Sequence, residues 1–308
     1  MLEQILTIGF FTAFFSAMVR MAVPLIYAGL GEMFAEKAGI LNIGMEGVML
    51  SGAFCSFAGA MFSGSLMIGL LCGILGGVVV SMIHAVLSIK LAQNQSVSGI
   101  AINMFVLGVT SFFSRILKEG KSYQQLTTFS TIKIPGLSSI PLIGDALFNQ
   151  DIFTYLLYIL IVVMTVFYAK TARGLAFQAV GEHPRAADAA GIPVHKYQYI
   201  AMLVNGILGG IGGAYLVLVQ LGVFTENMIS GRGYIALAAV ILGRYTPVGT
   251  FGAALIFGGA NALQIRLQAV GVPLAMLPYI ITLIALLGSI GRSNEPESLS
   301  KPYIRGSR

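Results

Sequence analysis

Apolar runs long enough to approach a bilayer crossing recur along the whole chain, parted by short polar stretches. About 20 helical residues span a hydrocarbon core of ~30 Å. Runs near 5–20, 22–36, 43–62, 66–90, 96–115, 151–170, 199–220, 233–244, 250–267 and 275–291 meet or approach that length. The pattern predicts an all-α polytopic membrane protein with about ten transmembrane helices. The second and eighth runs are short and interrupted by glycine, which predicts broken or half-length helices. Such backbone is tolerated in a membrane only where protein or a watery cavity satisfies the freed amides and carbonyls. A hydrophilic island at 171–199, TARGLAFQAVGEHPRAADAAGIPVHKYQY, lies between two of the apolar runs.

The chain therefore reads as one membrane unit over 1–308. It divides into a block of about four spans at 22–115, the island at 171–199, a second such block at 199–291 and a tail at 292–308. With the amino terminus inside, the loops near 37–42, 88–95, 170–198 and 244–249 and the tail fall on the cytoplasmic side. Lys170, Arg173, Arg185 and Lys196 bracket the island, and Arg292, Lys301, Arg305 and Arg308 mark the tail, as the positive-inside rule requires. Arg115, Lys118, Lys121 and Lys133 run against that bias in the long 116–150 segment. The first block would begin outside and the second inside, which makes the two inverted repeats.

Composition agrees: 56% of the 308 residues are hydrophobic and 10% charged, against roughly 25% charged in a soluble domain. The net charge of +6 is spread over loops and tail, which fits membrane orientation and excludes a nucleic-acid footprint. Cys55 and Cys72 fall in apolar runs and read as buried thiols. The amino-terminal MLEQILTIGFF lacks a basic leader region, so it reads as a retained span. No enzyme signature survives: Gly120-Lys121-Ser122 ends like a phosphate loop, but Arg115 stands where that motif needs glycine. His84, His183 and His195 have no metal-ligand spacing.

Two regions carry candidate function. In the island, Pro184 suits a first helical turn, Gly191 the left-handed position past the end, and Pro193 forbids continuation. The predicted helix, Pro184 to Ala190, is roughly 10 Å long and too short to persist alone in water. It needs a surface to dock on.

The other region is 31–54, GEMFAEKAGILNIGMEGVMLSGAF, where Glu32, Glu36, Lys37, Asn42 and Glu46 sit among apolar neighbours. Gly39, Gly44 and Gly47 permit a helix break whose new amino end offers free N–H groups. Glu36 and Lys37 read as solvated boundary charges, while Glu46 and Asn42 are open to either a structural role, as a cap or an inter-helix hydrogen bond, or a place on a pathway. A comparable glycine-flanked stretch, GRGYIALAAVILGRY at 231–245, follows a loop with Glu226 in the second half. His84, Asn103, Asn205, Gln220, Asn261 and Gln264 read as helix-to-helix hydrogen bonds. Gly69, Gly73 and Gly77, with Gly206, Gly209, Gly210 and Gly213, line helix faces suited to close packing.

GEMFAEKAGILNIGMEGVMLSGAF together with AVGEHPRAADAAGI resembles the permease subunits of bacterial ATP-binding cassette (ABC) importers for nucleosides and simple sugars, within the branched-chain amino-acid permease group. The resemblance implies a coupling helix made by Gly181, Glu182, Pro184, Arg185, Ala186, Ala187 and Gly191. It associates Asn42, Gly44, Glu46, Gly47, Asn103, Gly233 and Tyr234 with the translocation pathway. It implies no cofactor in this chain, ATP and Mg being held by a partner ATPase subunit. The other implied partners are a second permease, identical or related, an extracytoplasmic substrate-binding protein or lipoprotein, and membrane lipid. A nucleoside is the preferred substrate, with a simple sugar or branched-chain amino acid as alternatives. An ion-coupled secondary transporter using Glu32, Glu36 or Glu46 is the rival class.

Overall fold

The computed structural model describes residues 8–119, 125–140, 144–269, 276, 280, 283–284 and 294–305. It is all-α apart from one short strand pair. Seven helices within it are long and apolar enough to cross a membrane. They are α1 (Ile8–Glu36), α2 (Met45–Ser63), α3 (Leu66–Ala85, prolonged by a π turn at Val86–Lys90), α4 (Gln95–Glu119), α6 (Ile152–Lys170), α9 (Val194–Tyr215, prolonged by a π turn at Leu216–Leu221) and α11 (Pro247–Ala269). Between α4 and α6 lie β1 (Ile132–Lys133), a 3-10 turn (Leu137–Ser139), α5 (Gly144–Phe148) and β2 (Asn149–Gln150), with β1 and β2 antiparallel. The island holds α7 (Ala172–Glu182) and α8 (Pro184–Ala189), and α10 (Arg232–Leu242) is short.

The first two expected spans, 5–20 and 22–36, are one helix over the described residues from Ile8 onward. Arg20, which separated them by charge, is accommodated without a break. Its guanidinium donates to Ser16 Oγ one turn back at 3.0 Å, and its carbonyl accepts from Gln220 Nε2 at 2.8 Å. Arg20 lies 16 residues before Glu36, about 24 Å along the axis, so it marks where the helix approaches the far edge of the hydrocarbon, not where it ends. One crossing is thereby lost, and the Ile8 end of α1 lies opposite the Glu36 end. The short second span is thus no half-helix; every residue from Ala22 to Glu36 is buried, Glu32 and Glu36 included, which places this stretch at the centre of the bundle. The eighth span is short as expected. At 11 residues, α10 covers about 16 Å, roughly half a hydrocarbon core. The tenth, 275–291, falls almost wholly outside the described residues.

α1 is flanked by α9 and α11, and α9 is flanked in turn by α2 and α3. Small residues set those distances. A methyl built on Gly77 of α3 would stand 2.6 Å from Gly210 Cα of α9, and one on Gly210 would stand 2.7 Å from Gly73 O. The glycine stripes therefore serve backbone-to-backbone contact, the main source of helix association where lipid removes the hydrophobic drive. Elsewhere in the bundle, Tyr27 of α1 donates to Phe153 O at 2.7 Å and Tyr215 of α9 to Asp151 Oδ2 at 2.8 Å. Asp151 also caps α6 by accepting from Thr154 N at 3.0 Å.

Candidate functional site

Between α1 and α2 the chain is non-helical for residues 37–44, yet most of this turn is buried. Its freed amides must therefore find partners within the protein. Asn42 N donates to Glu32 Oε1 at 2.7 Å, and Leu41 N to Gln95 Oε1 at 2.8 Å. The second Glu32 oxygen accepts from Asn205 Nδ2 at 2.8 Å, and Asn42 Nδ2 donates to Asn205 Oδ1 at 2.9 Å. Ser81 Oγ adds a bond to Asn205 Oδ1 at 3.1 Å, while His84 Nε2 lies 3.1 Å from Leu41 O. One carboxylate and two asparagines thus pin the turn to α9 and α3. Glu36 does not behave as a solvated boundary charge: it is 1% exposed, because the turn and the tail fold over the end of α1.

One turn further along, Glu46 meets the start of α10. The helix opens on Gly231, whose φ of +84° selects glycine and which has no side chain to cap with. Glu46 supplies the missing acceptors from across the molecule. Its Oε1 accepts from Gly231 N and its Oε2 from Gly233 N, each at 2.7 Å, and the negative charge faces the positive end of the helix dipole. Gly233 makes the approach possible, since a methyl there would stand 2.5 Å from Glu46 N.

Asn103 of α4 completes the cluster. It accepts from Gly47 N at 2.7 Å and donates to both Ile43 O and Tyr234 Oη at 2.9 Å. Gly44 packs against Gly99 of α4, where a methyl on Gly99 would stand 2.7 Å from Gly44 N. Gly44, Glu46, Gly47, Asn103, Gly233 and Tyr234, read separately along the sequence, are therefore brought together, with Asn42 in the adjoining network. Tyr234 is 46% exposed, and Met104, which follows Asn103 on α4, is 71% exposed, so the cluster reaches the outer surface.

The island holds two helices where sequence reading expected one. Thr171 caps α7 by accepting from Gly174 N at 3.0 Å, and Phe177 and Val180, three apart, are the apolar signal that betrays the helix; both are buried. α8 then runs from Pro184 to Ala189 and closes as foreseen. Gly191 has φ +84°, Gly191 N donates to Asp188 O and Ile192 N to Ala187 O, both at 2.9 Å. That is the Schellman closure, with Ile192 packed near Ala187.

Ala187 itself faces inward against Val180 and Val194, while Arg185, Ala186, Ala189 and Ala190 face out. Gly181 faces inward too: a methyl there would collide with the Lys37 carbonyl. The partly buried Lys37 ammonium has its pKa lowered by desolvation, opposed by nearby Glu182. The island, the 37–44 turn and the tail thus share one end of the molecule.

Residues 14–290 match the family described as branched-chain amino acid transport system / permease component. The chain is 40% identical to the guanosine ABC transporter permease protein NupQ of Bacillus subtilis, covering 93% of this chain and 95% of that one. It is 35% identical to the putative glucose ABC transporter permease protein TsgC13 of Haloferax volcanii, over 86% and 81%. It is 33% identical to the nucleoside ABC transporter permease protein NupC of Lactococcus lactis, over 94% and 95%.

Proposed function

The chain belongs to the branched-chain amino acid transport system permease component family, and on that premise we propose that it forms the membrane pathway of an ABC importer for nucleosides. It is a multi-pass protein of the bacterial plasma membrane and a transport subunit, not an enzyme. The observation that carries the substrate reading is end-to-end similarity to two permeases named for guanosine and nucleosides. The 35% identity to a putative glucose permease supports the alternative, a simple sugar.

In this reading the chemistry belongs to a partner ATPase subunit that holds ATP and Mg. An external binding protein or lipoprotein delivers the solute, and a second permease, identical or related, completes the pathway against the face carrying Tyr234 and Met104. Arg185, Ala186 and Gly191 present the coupling surface to the ATPase, while Gly181 and Ala187 seat that surface on the membrane unit. Motion of α8 passes through Gly181 to the 37–44 turn, through Asn42 to the Glu32 and Asn205 network, and through Glu46 to α10.

Packing supports the inverted relation of the blocks at 22–115 and 199–291. α1 and α9 run antiparallel, with Gly31 beside Asn205 and Gly212 beside Pro24. Exchanging α1 with α9 and α3 with α11 maps the α1–α11 contact onto the α9–α3 contact. The same exchange pairs α2 with α10, and Gly233 at the start of α10 abuts Glu46 at the start of α2.

The test is reconstitution with cognate ATPase, second permease and binding protein in proteoliposomes. ATP-dependent uptake of labelled guanosine, competed by unlabelled nucleosides but not by glucose, is the expected result. Glucose uptake without guanosine uptake would favour the sugar reading. Accumulation by this chain alone, driven by an ion gradient, would overturn both.

A further inference from the structure

We propose that the carboxyl-terminal tail, residues 296–305, is the second wall of the surface that receives the ATPase subunit. This rests on the coupling reading of α8 given above. α8 has six residues, whereas a stable, specific interface engages roughly 20–30 residues and about 800 Å² on each side. The six-residue helix must therefore be flanked by further contact surface, and the tail is the segment built against it.

Its attachment is extensive. Ser298 N donates to Gly181 O at 3.0 Å, Ser298 Oγ donates to the same carbonyl, and Ser300 N reaches Gly39 O at 3.3 Å. Glu297 N donates to Glu182 Oε2 at 3.1 Å, and the Glu297 carboxylate lies 3.4 Å from His183 Nε2. Arg305 pairs with Asp188 of α8 at 3.2 Å. Leu299 is buried in the main core, and Tyr303 packs on the apolar cluster that holds Ala187.

The exposed ion pairs add little stability individually. The backbone bonds and the buried leucine fix the tail's position, which reduces the ordering cost of docking. Between tail and α8 runs a cleft of about 450 Å³, bordered by Pro184, Arg185, Lys301, Pro302, Tyr303 and Ile304. Ile304, 54% exposed, borders this cleft with Pro184 and Arg185 at the start of α8, and Ala186, Ala189 and Ala190 are exposed further along that helix. A knob of small residues beside a mixed polar and apolar cleft suits a protein surface that inserts a ridge. The occupant is the ATPase subunit, because α8 and the tail form one continuous surface at one end of the molecule.

The experiment uses the full importer in native membranes. Benzoylphenylalanine placed at 304 is expected to give a light-dependent adduct with the ATPase subunit. Ile304→Glu is expected to reduce the ATPase recovered with the purified permease at least tenfold, with the thermal unfolding midpoint of the permease unchanged. Ala186→Glu tests the coupling reading separately. If Ala186→Glu loses the ATPase while Ile304→Glu retains it, and the adduct at 304 forms with lipid, with the second permease or not at all, the tail proposal fails and the coupling helix stands. If Ala186→Glu also retains the ATPase, the coupling reading fails.

Discussion

Glu46→Gln is the sharpest test of how α10 is held. In the native chain two carboxylate oxygens accept the amides of Gly231 and Gly233 at 2.7 Å each. Hydrogen bonds to a charged group contribute roughly 1.5–3 kcal/mol apiece, and a negative charge at a helix amino end adds about 0.3–1 kcal/mol. Glu46 is partly exposed, so water replaces some of what is lost. For Glu46→Ala, about 2–4 kcal/mol of anchoring should disappear.

Glutamine keeps one acceptor and points its amide hydrogens at the second N–H, so it should lose about 1.5–3 kcal/mol. Aspartate, one methylene shorter, cannot reach both amides from the same backbone position. The expected result is a graded fall in ATP-dependent uptake, Gln less severe than Ala. The thermal midpoint in detergent should drop only modestly, because the central helices are untouched. Uptake and ATPase association are measured on the same preparations; association should persist. Wild-type uptake and stability in both Glu46→Gln and Glu46→Ala would refute the argument that this carboxylate positions α10.

Gly181→Ala should lower uptake about tenfold while raising ATP hydrolysed per solute moved, since its methyl collides with the Lys37 carbonyl and separates island from turn; simultaneous uptake and hydrolysis assays check it. Ala187→Glu, which would bury a charge against Val180 and Val194, should collapse the yield of folded protein, whereas Ala186→Glu should leave the thermal midpoint unchanged. Glu32→Ala leaves the Asn42 amide and Asn205 Nδ2 without an acceptor in a fully buried site, a cost of roughly 2–6 kcal/mol that detergent unfolding would register. Gly77→Ala should cost about 1–3 kcal/mol by prising α3 from α9, read as a lower unfolding midpoint.

Features set by local chemistry were legible along the chain. Hydropathy over roughly 20-residue windows marked the crossings because hydrocarbon cannot satisfy open backbone. Pro184, Gly191 and Pro193 marked the limits of α8 because they constrain φ and remove donors. The break at 37–44 was legible from Gly39 and Gly44, and the shortness of α10 from the length of its apolar run. The continuity of α1 through Arg20 was not legible, since it depends on Ser16 one turn back and Gln220 two hundred residues away.

Tertiary structure alone decided which polar groups meet. Nothing near Glu46 in sequence shows that its oxygens cap a helix 185 residues later, nor does Asn42 reveal Asn205 as its partner. Burial also divided the island, turning Ala187 inward and Ala186 outward although both are alanine, because the side of a short helix that faces its neighbours is set by where α7 and α9 lie. Local propensity acts within a few residues, while burial and hydrogen-bond pairing are settled only when distant helices share one interior.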